Sequence, residues 1–169
     1  MATRVQTRRQ FGALAREVGS AGALAGLAGG LAMAFYLMLY SDFWGAGFLL
    51  PLRLFSATFF GVDGLIGGTG VLLAGLLLHL AVSVVLGVVY ALIPRRTTTT
   101  FHALLGGIGF GVAVLLISTF LVLPAANPVL RARVSLFPMA WFLSHVIFGA
   151  LTGGLVMPLR RKSTHVPLV

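Results

Sequence analysis

Four stretches of this chain contain no Asp, Glu, Lys or Arg, and each is long enough to cross a lipid bilayer. They run over about residues 21–41, 71–93, 101–123 and 138–158. A helix needs ~20 predominantly apolar residues to span ~30 Å of hydrocarbon. The chain is 59% hydrophobic and only 9% charged, far too little charge to cover the surface of a water-soluble domain of 169 residues. The expectation is one all-α, polytopic membrane domain with four transmembrane helices over residues 21–158. A basic segment precedes it at 1–20 and a basic tail follows at 159–169.

The charges that remain are distributed unevenly. With a cytoplasmic N-terminus, one side holds Arg4, Arg8, Arg9, Arg16, Arg95, Arg96, Arg160, Arg161 and Lys162, and the other holds Arg53, Arg131 and Arg133. Nine against three is the positive-inside bias, which predicts both termini in the cytoplasm and a multi-pass protein of the bacterial inner membrane. The net charge of +9 then serves topology and contact with anionic lipid headgroups at the cytoplasmic face. Nucleic acid is not expected as a partner, because no basic module interleaved with aromatics is present. The absence of cysteine removes disulfides, thiolate catalysis, iron–sulfur clusters and haem attached through CxxCH. Thr7-Arg8-Arg9-Gln10-Phe11 resembles a twin-arginine export signal over five residues. The apolar stretch behind it runs on through Phe35, Tyr36, Leu37 and Met38, so 21–41 reads as a retained span. Phe11, Leu14 and Val18 fall at helical spacing, which suits a short amphipathic helix on the membrane surface or an ordinary tail.

Small residues recur at intervals that suit close helix packing. The first span carries Gly22, Gly26, Gly30 and Ala34, each four apart, a groove for another helix within the protomer or in a second one. Such a groove admits a homo-oligomer or a place in a larger membrane complex. The third span has Gly106, Gly107, Gly109 and Gly111 near its cytoplasmic end, and these predict a second close-packing surface. Tyr36, Tyr40 and Trp44 suit the headgroup level. Residues 42–70 are too apolar for a free loop. A short helix starting near Pro51 is expected there, either in the outer interface with Arg53 reaching water or re-entrant against the bundle. Pro94 to Thr100 reads as a cytoplasmic turn with Thr100 capping the third span. Residues 124–137 repeat the outer theme of a proline followed by arginine, here Arg131 and Arg133. Segments 21–93 and 101–158 thus resemble two copies of one helical-hairpin unit. If they are, a pseudo-twofold axis along the membrane normal relates them.

Two histidines stand out because each lies inside a span on a stripe of small residues. Gly75, His79, Ser83 and Gly87 form one i+4 row, and Trp141, His145, Gly149 and Gly153 form another. Ionisable groups inside a span usually face protein or a cavity. Three readings are open. Each ring can act as packing glue, bonded to Ser83, Tyr36, Ser118, Thr119 or a backbone carbonyl of a neighbouring helix. The pair can ligate a b-type haem, with Arg53, Arg131 and Arg133 available for its propionates. The rings can also relay protons along an ion path. A catalytic zinc needs three protein ligands, and His102 belongs to the opposite membrane face, while His165 is a solvated tail residue. Walker, GxSxG and HExxH motifs are absent. Ser41, Ser56 and Ser144 are isolated hydroxyls, and Ser144, though adjacent to His145, points to another helix face.

The glycine-spaced first span, the histidine-bearing second and fourth spans and the proline–arginine connections resemble small bacterial inner-membrane proteins with four helices. The resemblance covers most of the chain. It implies a fold and a location and carries no activity with it. The function expected is that of a non-enzymatic scaffold, accessory subunit or oligomer-forming component with no cofactor. A bis-histidine haem b redox subunit is the alternative, with His79 and His145 binding the cofactor, followed by a small permease, channel or proton-conducting protein. The residues expected to pack helices are Gly22, Gly26, Gly30, Ser83, Gly87, Gly107, Gly111, Gly149 and Gly153.

Overall fold

The computed structural model describes the backbone of residues 2–93 and 99–163 and the side chains of residues 16–93 and 99–160. The side chains of Arg8, Arg9, Arg161 and Lys162, and the whole of Pro94, Arg95, Arg96 and His165, lie outside the described residues. What is described is all-helical: α1 (Ala2–Phe43), α2 (Leu50–Phe60), α3 (Thr69–Leu92), α4 (Thr100–Ile117), α5 (Leu123–Ala126), α6 (Pro128–Val134) and α7 (Pro138–Ser163). A 3₁₀ turn occupies Gly61–Leu65 and a π-turn occupies Ser118–Val122. Four segments are long and apolar enough to cross a membrane: Arg16–Phe43, Thr69–Leu92, Thr100–Ala126 and Pro138–Arg160. Their outward surfaces present Leu24, Leu31, Phe35, Leu77, Val85 and Phe120, an apolar skin that lipid tolerates and water does not. Residues 2–20 do not form a separate surface helix. They continue into the first span as one unbroken α1.

The long helices stand in the order α3, α1, α7, α4, with α1 touching α3 on one face and α7 on another. Burying apolar area gives no driving force between helices in lipid, so contact must come from backbones that approach closely. The sequence supplies this at matching places in both hairpins. Gly22, Gly26 and Gly30 lie against Ser83, Gly87 and Ala91, and Ala103, Gly107 and Gly111 lie against His145, Gly149 and Gly153. A Cβ added at Gly87 would stand 2.6 Å from Gly26 Cα, and one at Gly107 would stand 2.7 Å from Gly153 Cα. The groove on α1 is therefore filled by α3 of the same chain. The third-span expectation needs correction: a Cβ added at Gly109 would meet nothing within 4 Å, and one at Gly106 would meet only the Tyr90 hydroxyl at 3.4 Å. Helical geometry puts Gly107 and Gly111 on one face and turns Gly109 away from it. A Cβ added at Gly29, on another face of α1, would stand 2.8 Å from Phe148 O and 2.7 Å from Thr152 Oγ1, so the glycine lets α1 seat on α7. Tyr90 donates its hydroxyl to Ala103 O and so joins α3 to α4 near the ends that carry the chain termini.

The opposite end is built from the short elements. Pro51 stands in the first turn of α2, where its missing N–H costs nothing. Gly61 ends the helix at φ 55°, a conformation that favours glycine. Arg53 is half-buried and turns its guanidinium onto backbone carbonyls. Its Nη1 donates to Leu65 O at 3.1 Å and Gly67 O at 2.7 Å, neutralising carbonyls at the end of the 3₁₀ turn. α2 crosses α3 at Gly75, where an added Cβ would lie 2.8 Å from Ser56 N. Gly75 is six residues into α3, so α2 is sunk ~9 Å below the end of that helix. The π-turn has a local cause in Pro124. Proline cannot donate to the carbonyl four residues back and crowds it, and the turn before it widens so that Leu123 N–H reaches Ser118 O. The cap on α4 is Thr99, one residue earlier than expected, with its hydroxyl accepting from His102 N.

Candidate functional site

His79 sits ten residues into α3 and reaches across to α1. Its Nε2 lies 2.9 Å from Gly30 O. A carbonyl only accepts, so Nε2 carries the proton, and in the neutral ring Nδ1 keeps the lone pair. Phe55 of α2 lies flat on the imidazole, with centroids 4.4 Å apart and planes 4° from parallel. The close approach depends on Gly30, because a Cβ there would point at the Ser83 side chain and at His79 Nε2, 3.7 Å away. Ser83 does not serve the ring. Its hydroxyl turns back to His79 O at 2.8 Å.

His145 is 3% exposed and is held differently. Its Nδ1 donates to Trp141 O at 2.9 Å, the carbonyl one turn back in α7, so this bond stays within one helix. Trp141 stands edge-on to the ring with centroids 4.5 Å apart, and its indole Nε1 donates to Thr119 Oγ1 at 2.8 Å in the π-turn. Ser144 does not point away from His145. Its Oγ donates to the same Trp141 carbonyl at 2.8 Å and lies 3.3 Å from His145 Nδ1. Since both groups turn their protons to one acceptor, the serine gains no base and the pair is not a nucleophile. Gly30 meets His79 while Gly29 meets Phe148, three residues past His145, so the rings lie within ~5 Å of one level along the bundle.

Beyond the two rings, on the side of the short elements, lies a pocket of about 70 Å³. A single water needs only ~10–15 Å³ of such space, so several water-sized units fit. Phe55 and Trp141, the two rings that cover the histidines, both line it, together with Leu37, Leu54, Val134 and Ala140. Tyr40, Trp44 and Arg133 line it as well, and Arg133 is the only charged residue among the described residues that line it. The guanidinium of Arg133 stands over the Phe137 ring at 5.0 Å.

Asn127 holds this end together, and reading by pattern passes over it. It is 1% exposed. Its Oδ1 accepts from Leu130 N at 2.8 Å as the cap of α6, and its Nδ2 donates to Leu54 O at 2.8 Å and Thr58 Oγ1 at 2.9 Å in α2. The signal was local: Asn followed by Pro is the pattern of a helix cap with proline in the first turn. No family model, curated protein or solved structure matches the chain.

Proposed function

We propose that the chain is a small multi-pass protein of the bacterial inner membrane that acts as a scaffold or accessory subunit and performs no chemistry of its own. The arginine distribution supports both termini in the cytoplasm. The matched contacts of Gly22/Gly26/Gly30 with α3 and of Ala103/Gly107/Gly111 with α7 support two hairpin repeats related by an axis along the membrane normal. In that orientation α2 is a re-entrant helix in the outer half of the bilayer.

One observation carries the functional reading: each histidine spends an N–H on a backbone carbonyl and has an aromatic ring laid against it. His79 thereby ties α3 to α1, and His145 is held within α7 against Trp141, whose indole bonds Thr119. A bis-histidine haem needs both rings to aim lone pairs at one iron, with a flat macrocycle between them. Here helix α1 binds Nε2 of His79 and Phe55 covers its face, so the haem reading would need both contacts undone. A partner or second copy must dock on a surface other than the α1 glycine groove, which α3 occupies.

The test is the absorption spectrum of the purified protein beside His79→Ala and His145→Ala. The expected result is three colourless preparations and lower thermal stability in both variants. A Soret band lost in either variant would establish the haem reading instead. A C-terminal fluorescent-protein fusion checks the orientation: it should glow in the cytoplasm, and a dark fusion with an active phosphatase fusion at the same place would reverse the topology.

A further inference from the structure

From the pocket between α1, α2, α6 and α7 we infer a specific binding site for one anionic phospholipid of the leaflet opposite the termini. Three features of the pocket argue for this occupant. Its walls are apolar, formed by Leu37, Leu54, Val134 and Ala140, and its floor is Phe55 and Trp141, each 7% exposed. Among the described residues that line it the only charged one is a cation, Arg133, so the charge it complements is negative. Its polar and amphipathic groups, Arg133, Tyr40 and Trp44, sit at the end where the long helices stop. The apolar floor lies toward the middle of the bundle. Leu37 and Trp44 are seven residues apart along the chain, which puts ~10 Å between the two ends of the pocket. An outer-leaflet phospholipid has the same polarity over the same direction, with phosphate at the interface and chain inward.

The chemistry assigns a role to each part. A guanidinium binds a phosphate through charge-assisted hydrogen bonds, and Arg133, already stacked on Phe137, is held ready for it. The chain end enters against Trp141 and Phe55. An acyl chain gains little by leaving other lipids for an apolar wall, because both surroundings are equally dry. Preference for this lipid over its neighbours therefore rests on Arg133, and entry rests on the space below it.

The two tryptophans of the protein, Trp44 and Trp141, both line the pocket, so fluorescence reads its occupancy. The probe is Trp44→Phe protein, which leaves Trp141 as the sole emitter, in nanodiscs of phosphatidylcholine with a minor fraction of phosphatidylglycerol. Bromine is placed near the chain end of one lipid or the other at equal mole fraction. Brominated phosphatidylglycerol should quench Trp141 more strongly than brominated phosphatidylcholine. That excess should be lost in Arg133→Gln, which removes the cation, and in Ala46→Phe, which fills the mouth from a loop without touching a helix contact. Thermal unfolding of both variants checks that they are folded. Equal quenching by the two lipids overturns the proposal, as does an excess that survives Arg133→Gln. An absence of quenching, with a dimer that Ala46→Phe dissociates, overturns it in favour of a second copy of the chain.

Discussion

The two ends of this bundle are held by different means. At the end that carries the termini, helix meets helix chiefly backbone to backbone, Gly22 and Gly26 against Gly87 and Gly107 against Gly149 and Gly153, with the Tyr90 hydroxyl as a side-chain joint from α3 to α4. At the other end the helices are separated by α2 and α6, and side chains make the joints: Asn127 to Leu54 and Thr58, Phe55 to His79, Trp141 to Thr119. The first kind of contact leaves no room and the second leaves a pocket. Close packing of glycines fixes the distance between helices. Polar and aromatic joints fix direction while tolerating a gap.

The contrast predicts where added bulk destroys the fold. Gly149→Val places a side chain against Gly107 C, 2.9 Å from its first carbon, with backbone on the far side that cannot give way. The expected cost is about 3 kcal/mol or more, measured by thermal or chemical unfolding in detergent. Ala46→Phe, at the pocket, should leave the midpoint nearly unchanged. Equal tolerance at both places would end the distinction between the two ends.

The side-chain joints should fail by a smaller amount. Asn127→Ala removes three hydrogen bonds from a buried site and strips α6 of its cap. A loss of about 2 kcal/mol is expected, with faster hydrogen exchange confined to α2 and α6. Exchange that quickens instead in α4 and α7 would show that Asn127 holds more than its own end. The histidines separate more finely. His79→Phe deletes a bond between two helices and should cost roughly 1 kcal/mol. His145→Phe deletes a bond internal to α7 and should cost less, provided the ring still packs on Trp141. The reverse order would mean that the interhelical bond is not what His79 contributes.

How much of this was readable in the chain follows from the range of each effect. The four spans needed only local composition, and their limits in the structure fall within a few residues of those expected for all but the first. That helix began earlier, because nothing in residues 2–20 breaks it. Glycine spacing named Gly22, Gly26, Gly30, Gly107 and Gly111 but could not say which helix would fill the groove, since every span offers small residues. The histidines were visible as polar groups in apolar surroundings. Their partners were not: the carbonyl of Gly30 is 49 residues from His79, and a carbonyl has no signature in sequence. Trp141 was visible one turn before His145 on the same row, but Phe55 became a site residue only through the way α2 folds back onto α3 at Gly75, and the i+4 row that contains Gly75 does not say which helix packs there.

The smallest expected effect is the most discriminating, because it compares neighbours on one helix. Gly109 lies between Gly107 and Gly111 in α4 and faces outward, where an added Cβ would meet nothing within 4 Å. Its glycine makes no contact that a methyl group would disturb. Gly109→Ala should therefore be neutral or stabilise by up to ~1 kcal/mol, the helix-propensity difference between the two residues. Gly107→Ala, two positions away, should destabilise, because its new carbon would stand 2.7 Å from Gly153 Cα. The sign change between the two variants is the measurement, read as opposite shifts of the unfolding midpoint under one condition. If Gly109→Ala destabilises as Gly107→Ala does, then a further helix covers that face of α4, and the closely packed region extends beyond the contacts within this chain.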